Sequence, residues 1–142
     1  MSEQIVYIDR SEILDGKLEE LKEGINEFVE FVDAREPQLI SYGFFINEEA
    51  ARMTVIAVHS DSASLEYHME IADAEFRKLA GFIKLVTIEV YGRPSNKALK
   101  QLRQKAQMLD EGESVVVPEQ QAGFARFPRV DTPPIALAHP FS

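Results

Sequence analysis

Apolar residues recur with two different periods along the first 92 residues. Segments rich in apolar and β-branched residues predict strands at 5–8, 39–46, 53–59 and 82–91. Residues spaced three or four positions apart predict two intervening amphipathic helices, marked by Leu14, Leu18, Leu21, Ile25, Phe28 and Val32 and by Leu65, Met69, Ala72, Phe76 and Leu79. The predicted order is β-α-β-β-α-β. With right-handed crossovers it is typical of an α+β, ferredoxin-like fold, a four-stranded antiparallel sheet with both helices on one face.

The last third of the chain follows a different pattern. Ser95 is a candidate N-cap for a helix over 95–110, on which Lys97, Lys100, Arg103 and Lys105 are predicted to face solvent. Segments 115–117 and 124–127 are typical of short strands, and the prolines of the tail exclude a helix or a central strand there. We therefore predict one domain over 1–92 and an extension over 93–142 that is not a second domain. Its extended tail either lies on a partner or is disordered.

The second predicted strand, 39–46, is apolar on both of its faces. Such a strand is normally buried on both sides, and two helices can cover only one face of a four-stranded sheet. A second copy of the chain is the simplest cover for the other face. The pattern therefore predicts a homodimer formed through the sheet.

Composition and charge exclude several classes of function. The 142 residues include no cysteine, which excludes disulfides, thiol catalysis and cysteine-ligated metals. The net charge of −9 disfavours nucleic acid as a partner, because binding phosphates requires a basic surface. No apolar run approaches the roughly 20 residues of a membrane span, and no secretory signal pattern is present. We therefore expect a cytoplasmic protein that does not enter the membrane.

Motifs for the common cofactors and metals are also absent. The chain lacks Walker-type and dinucleotide-binding glycine patterns, G-x-S-x-G, H-E-x-x-H, H-x-H and EF-hand spacings. We therefore predict neither a cofactor nor a metal site.

Two short segments resemble the antibiotic biosynthesis monooxygenase family, part of the dimeric α+β barrel superfamily. Residues 35–42, Arg-Glu-Pro-Gln-Leu-Ile-Ser-Tyr, are similar to the family's E-P-G-x-x-x-Y passage, with Gln38 in place of Gly. Residues 59–68 resemble its segment from a strand end to a helical histidine, with His59 where an aromatic Trp is more common. The resemblance covers residues 5–92. It implies two sheets facing each other across a two-fold axis, with a pocket between sheet and helices in each subunit.

The candidate site residues are one histidine and a set of mainly aromatic side chains. His68 flanks the apolar face of the second helix. It could act there as a general base, a hydrogen-bond donor to a ligand or a metal ligand. The alternative is a half-buried structural residue that bonds to a neighbouring group. An aromatic pocket for a flat ligand is predicted from Tyr7, Tyr42, Phe44, Tyr67 and Phe76, with core packing as the alternative for Phe44 and Phe76. His59 is predicted either to lie near the pocket mouth and contact the ligand or to bond to the loop that caps the second helix. Asp9 and Glu12 are expected to be solvated.

The function implied by the resemblance is oxygenation of a flat aromatic or quinone-like compound without a cofactor. His68 would take a proton from an activated phenolic carbon, and the carbanion would react directly with oxygen. The lack of tryptophan argues against both this activity and haem degradation, because family members tend to use a Trp, an Asn and a His together. Whether the protein is an enzyme therefore stays open, and the alternative is a non-catalytic dimeric binding or stress-associated module.

Overall fold

The computed structural model describes residues 4–109 and 115–126, which form five strands and three helices. The elements are β1 (Ile5–Ile13), α1 (Leu18–Arg35), β2 (Leu39–Asn47), β3 (Arg52–His59), α2 (Ser62–Ala80), β4 (Ile83–Tyr91), α3 (Asn96–Met108) and β5 (Val115–Val116). The predicted order β-α-β-β-α-β is confirmed over the first six of them. No helix in these ranges has the length and hydropathy needed to cross a membrane.

The sheet is mixed and five-stranded, in the order β2-β3-β1-β4-β5. Its first four strands run antiparallel to their neighbours, and β5 pairs parallel with β4. The prediction of a four-stranded, wholly antiparallel sheet was therefore incomplete, because the two-residue β5 adds a parallel edge. Residues 124–126 form no strand, contrary to the prediction for 124–127, whose last residue lies outside the described ranges.

Strand β1 extends five residues beyond its predicted end at position 8. The sequence Asp9-Arg10-Ser11-Glu12 is polar, but it continues the strand alternation, with Asp9 and Ser11 buried on the same face as Tyr7. That face lies against the helices, so β1 places a carboxylate and a hydroxyl inside the layer between sheet and helices. The expectation that Asp9 is solvated is wrong.

The helices α1 and α2 approach each other closely at Gly24. A Cβ atom at this position would lie 2.5 Å from Cδ2 of Leu79 on α2. Glycine in a helix interior costs roughly 1 kcal/mol relative to alanine, and here it permits close contact between the two helices. Leu14, which shares the spacing of the helix's apolar residues, lies outside α1, because α1 begins at Leu18.

The third helix packs on α2 through Ala98, Leu102 and Ala106, all of which are fully buried. Its N-terminus is held by Ser95, whose Oγ accepts from the Ala98 N–H at 3.0 Å and donates to Glu66 Oε2 at 2.5 Å. The predicted N-cap is therefore correct, and α3 adds a third helix to the layer covering the sheet.

The opposite face of the sheet carries apolar side chains at its centre. Val6 lies opposite Val58, and Ile8 lies opposite Ile56, on the two central strands. On the edge strand β2, Phe45 is 57% exposed within a single chain. We call this surface, formed by Val6, Ile8, Phe45, Ile56 and Val58, the outer apolar patch.

Candidate active site

The inner face of the sheet brings two phenols and a carboxylate close together. Tyr42 on β2 and Tyr7 on β1 both lie opposite Ala57, one on each side of β3. Asp9 follows on the same face of β1, opposite Val55, and is 2% exposed. Because strands are spaced by roughly 4.8 Å, the two tyrosines are about two strand spacings apart, with the small side chain of Ala57 between them.

A buried pair of His68 and Glu36 lies beside this row. His68 Nδ1 lies 2.6 Å from Glu36 Oε2. Glu36 occupies the C-cap of α1, directly before Pro37, and its second carboxylate oxygen has no hydrogen-bond partner among the described residues. A carboxylate at Nδ1 orients the imidazole ring and leaves Nε2 as the nitrogen that can contact a ligand. His68 therefore has the kind of carboxylate partner that orients a histidine in many active sites.

His59, the other predicted histidine, is fully buried at the end of β3. Its Nδ1 lies 2.8 Å from Ser64 Oγ, and Ser64 belongs to the first turn of α2, whose N-cap is Asp61. Burial, with a smaller contribution from the nearby His68, lowers the pKa of His59 from 6.5 to about 3. His59 is therefore neutral at neutral pH and ties the strand end to the helix start. The partner lies in the first turn of the helix and not in the loop before it, where the sequence had suggested a bond.

The low pKa of His59 predicts that the protein loses stability as pH falls through the range from 6.5 to about 3. The unfolded chain binds a proton there that the folded chain does not, so the free energy of unfolding falls by up to about 1.4 kcal/mol per pH unit. At pH 5 we expect a loss of about 2 kcal/mol from this one group. Urea unfolding between pH 7 and pH 5 measures it.

The variant His59→Gln provides the control, because glutamine has no proton to gain in this range. All other titrating groups are common to the two proteins. The difference in unfolding free energy between wild type and variant should therefore shrink as pH falls. Parallel pH profiles would show that His59 is not the cause.

Tyr42 is near enough to both carboxylates of the site to be affected by their charges. Burial, followed by the negative charges of Asp9 and Glu36, raises its pKa well above the usual 10. Its ring makes an edge contact with His68 at a centroid distance of 5.1 Å. Tyr42 therefore stays protonated and lies against the imidazole.

A third buried group is the triad of Tyr7, Asp9 and Lys105. The Tyr7 hydroxyl donates to Asp9 Oδ2 at 2.5 Å and accepts from Lys105 Nζ at 2.8 Å. Lys105 Nζ also lies 3.4 Å from Asp9 Oδ2, and the lysine side chain is only 12% exposed. Burial is the main cause that raises the pKa of Tyr7 well above 10, with contributions from Asp9. The prediction that Lys105 faces solvent is wrong.

The space between sheet and helices is largely filled by the side chains that were predicted to line a pocket. The ring of Phe28 lies 6.0 Å from Tyr42, 5.9 Å from Phe44 and 6.3 Å from Phe76, between centroids. The space beside His68 and Phe76 is a cleft of about 20 Å³, here called the His68 cleft, lined by Phe28, His68, Met69, Ala72, Asp73, Phe76 and Lys105. This volume accommodates about one water molecule, whereas ligand sites start near roughly 300 Å³.

A larger depression adjoins this cleft on the surface. It has a volume of about 400 Å³, runs between α2 and α3, and shares Met69, Asp73 and Lys105 with the His68 cleft. We call it the α2–α3 groove. The side chain of Lys105 therefore connects the surface groove with the buried polar cluster.

Three residues of the cluster, Asp9, Glu36 and Lys105, were not among the predicted site residues. Glu36 could have been found, because it belongs to the E-P passage that leads into β2. Lys105 is three positions after the buried Leu102, on the inward side of α3. Within the described ranges, no three His, Cys, Asp or Glu side chains converge as metal ligands.

Comparison with solved structures identifies the fold. MupZ from Pseudomonas fluorescens matches 87% of this chain and 94% of its own, with 25% identity and a TM-score of 0.64. SnoaB, a cofactor-independent oxygenase from Streptomyces nogalater, matches 67% of this chain and 97% of its own, with 12% identity and a TM-score of 0.56. An antibiotic biosynthesis monooxygenase matches 64% and 99%, with 17% identity and a TM-score of 0.54.

The chain therefore has the α+β fold of the antibiotic biosynthesis monooxygenases, which confirms the resemblance noted in its sequence. No protein-family model matches the sequence, and neither does any curated protein.

Proposed function

We propose that this protein, whose fold is that of the antibiotic biosynthesis monooxygenases, oxygenates a small flat aromatic compound with His68 as the general base. The observation that carries the proposal is the buried His68–Glu36 pair, with 2.6 Å between Nδ1 and Oε2, at the edge of the His68 cleft. Aromatic side chains surround this pair, as a flat substrate would require. Structural neighbours include a cofactor-independent oxygenase.

The chemistry follows from the division of roles within the pair. Glu36 holds Nδ1, so Nε2 of His68 is the nitrogen that takes a proton from the substrate, and the carboxylate stabilises the imidazolium that forms. The substrate carbanion passes one electron to O₂, and the two radicals combine into a peroxide with a new C–O bond. Loss of water from this peroxide leaves a carbonyl. A ring CH₂ and O₂ thus become C=O and H₂O, with all four electrons supplied by the substrate.

The substrate would lie against Tyr42, Phe44 and Phe76, with His59 and Tyr7 at the ends of the site. Since the His68 cleft holds only about 20 Å³, binding requires side chains at its entrance to move. Met69 is the residue best suited to this, because its unbranched side chain adopts several shapes at little cost. The ligand would enter from the α2–α3 groove.

We also propose that two copies of the chain associate through the outer apolar patch. The composition of this face supports the proposal, because apolar side chains occupy its centre. The charged side chains of the ion pairs Arg10–Glu89 and Arg52–Glu12 lie toward one end, outside the patch that would be buried. A two-fold axis through the patch would place like residues together and bury them. The helices would remain on the outside, with one site in each subunit.

An oxygen-uptake assay with 1,8-dihydroxy-9-anthrone tests the catalytic proposal. The wild type should consume one O₂ per anthrone and transfer one ¹⁸O atom from labelled oxygen into the quinone. In His68→Gln, the rate should fall by about 10²–10⁴, the usual contribution of a general base. Tyr67→Phe is the matched control. Tyr67 precedes His68, but it is 40% exposed and does not line the His68 cleft, contrary to its predicted place in the pocket. Equal rates in wild type and His68→Gln would refute the role of His68.

The alternative is a non-catalytic binding module in which His68 is structural. It is favoured by the close aromatic packing that fills the space between sheet and helices. In that case the wild type shows no oxygen uptake, and His68→Gln chiefly lowers the free energy of unfolding. The same two proteins therefore distinguish the two functions.

A further inference from the structure

We propose that Lys105 forms an oxyanion site, in which its ammonium group binds the substrate oxygen that becomes negatively charged when His68 removes the proton. The proposal rests on the proposed function and narrows its substrate class. The substrate would be a flat aromatic compound with an enol or phenol oxygen conjugated to the reacting carbon.

The position of Lys105 supports this role. It comes from α3 and reaches the His68 cleft, where its Nζ lies 4.1 Å from the centroid of the Phe76 ring. His68 lines the same cleft. A base and a cation therefore border one small space, as is needed when a proton leaves a carbon and the charge moves to a nearby oxygen.

The hydrogen bonds of Lys105 leave it capacity for a ligand. An ammonium group has three N–H donors. Among the described residues, Nζ donates to the Tyr7 hydroxyl at 2.8 Å and, less closely, to Asp9 Oδ2 at 3.4 Å. The Tyr7 hydroxyl in turn donates to Asp9 at 2.5 Å. Tyr7 and Asp9 thus hold the nitrogen in place. Its remaining N–H has the Phe76 ring as a neighbour, 4.1 Å from Nζ to the centroid, and a substrate oxygen would take the place of that contact.

The surroundings would strengthen such an interaction. The lysine side chain is 12% exposed, and Phe28, Phe76 and Met69 line the cleft beside it. In an environment from which water is excluded, a fixed cation stabilises a developing negative charge far more than it does in solvent. The rival explanation is that Lys105 only neutralises Asp9, and in that case it would contribute nothing to ligand binding.

Binding of 2-hydroxy-1,4-naphthoquinone, ionised at neutral pH, tests the oxyanion site. Its absorbance reports binding, and 1,4-naphthoquinone has the same ring system without the oxyanion. The wild type should bind the ionised probe at least about tenfold more tightly than the neutral one, a modest preference for a charge-assisted hydrogen bond. The double variant Asp9→Asn/Lys105→Met should lose this preference. It removes the cation and the carboxylate together, so the net charge of the site is unchanged.

Lys100→Met is the matched control, because Lys100 is exposed on the same helix, and it should keep the preference. An unchanged preference in the double variant would overturn the proposal, whatever the outcome of the oxygen assay. If the preference depends on Lys105 but anthrone is not oxygenated, the oxyanion site stands and the proposed oxygenase function fails. His68→Gln should retain the preference, which separates anion binding from proton removal.

Discussion

Lys105→Met should lower the free energy of unfolding by about 3–5 kcal/mol, the usual cost of removing one partner from a buried ion pair. Among the described residues, the variant leaves the Asp9 carboxylate, 3% exposed at its side chain, with only the Tyr7 hydroxyl as a partner. Methionine fills a similar volume, so the loss arises from the unpaired charge and not from a cavity. Urea unfolding at neutral pH measures the difference.

Asp9→Asn in the Lys105→Met background should recover most of that loss, because an amide accepts the Tyr7 hydrogen bond without carrying a charge. We expect the double variant to lie within about 1.5 kcal/mol of wild type. Lys100→Met, on the exposed side of α3, should change stability by less than about 0.5 kcal/mol. If the double variant is no more stable than Lys105→Met, the ion pair is not the source of the effect.

Ile56→Lys should convert a dimer into a monomer. Ile56 is at the centre of the outer apolar patch, between Ile8 on β1 and Gly43 on β2. In a dimer formed through this face, the two new ammonium groups would be buried near each other, at a cost of at least about 3 kcal/mol. The dimer dissociation constant should therefore rise by about 150-fold or more.

Light scattering measures the mass in solution and so distinguishes a monomer of 16.1 kDa from a dimer of twice that mass. In the isolated chain, a lysine at this position would face solvent, so the monomer should remain folded. Glu27→Lys, which introduces the same side chain on the exposed face of α1, is the control and should stay dimeric. A wild-type protein that is already monomeric at high concentration would refute the dimer.

The order of elements could be predicted because the two periods of apolar residues are well separated along the chain. The missing part of β1 has a specific cause. Polar residues at 9–12 are typical of a loop. Here they continue the strand, and Asp9 and Ser11 occupy the inner-face positions where apolar residues would be expected. A strand that carries a polar site inward loses the hydrophobic alternation by which strands are recognised.

Only part of the candidate site could be predicted, because some of its residues have no local pattern that marks them. His68 could be found because it flanks a long apolar face, and Tyr42 because a recognisable passage precedes it. Lys105 could not, since four basic residues on one short helix are usually all exposed. The other three, Lys97, Lys100 and Arg103, are indeed exposed. Lys105 differs from them because its ammonium group reaches the Tyr7 hydroxyl on β1. Long-range pairs of this kind leave no local pattern in a sequence.

The pairing of Asp9 with Lys105 also bears on the order in which the chain is made. The two residues are 96 positions apart, and the carboxylate belongs to β1 while the cation belongs to α3. A nascent chain on the ribosome thus has Asp9 long before its counter-ion has been synthesised. The sheet can gain the stabilisation of this ion pair only after α3 has emerged, so completion of the fold should await the late arrival of the helix.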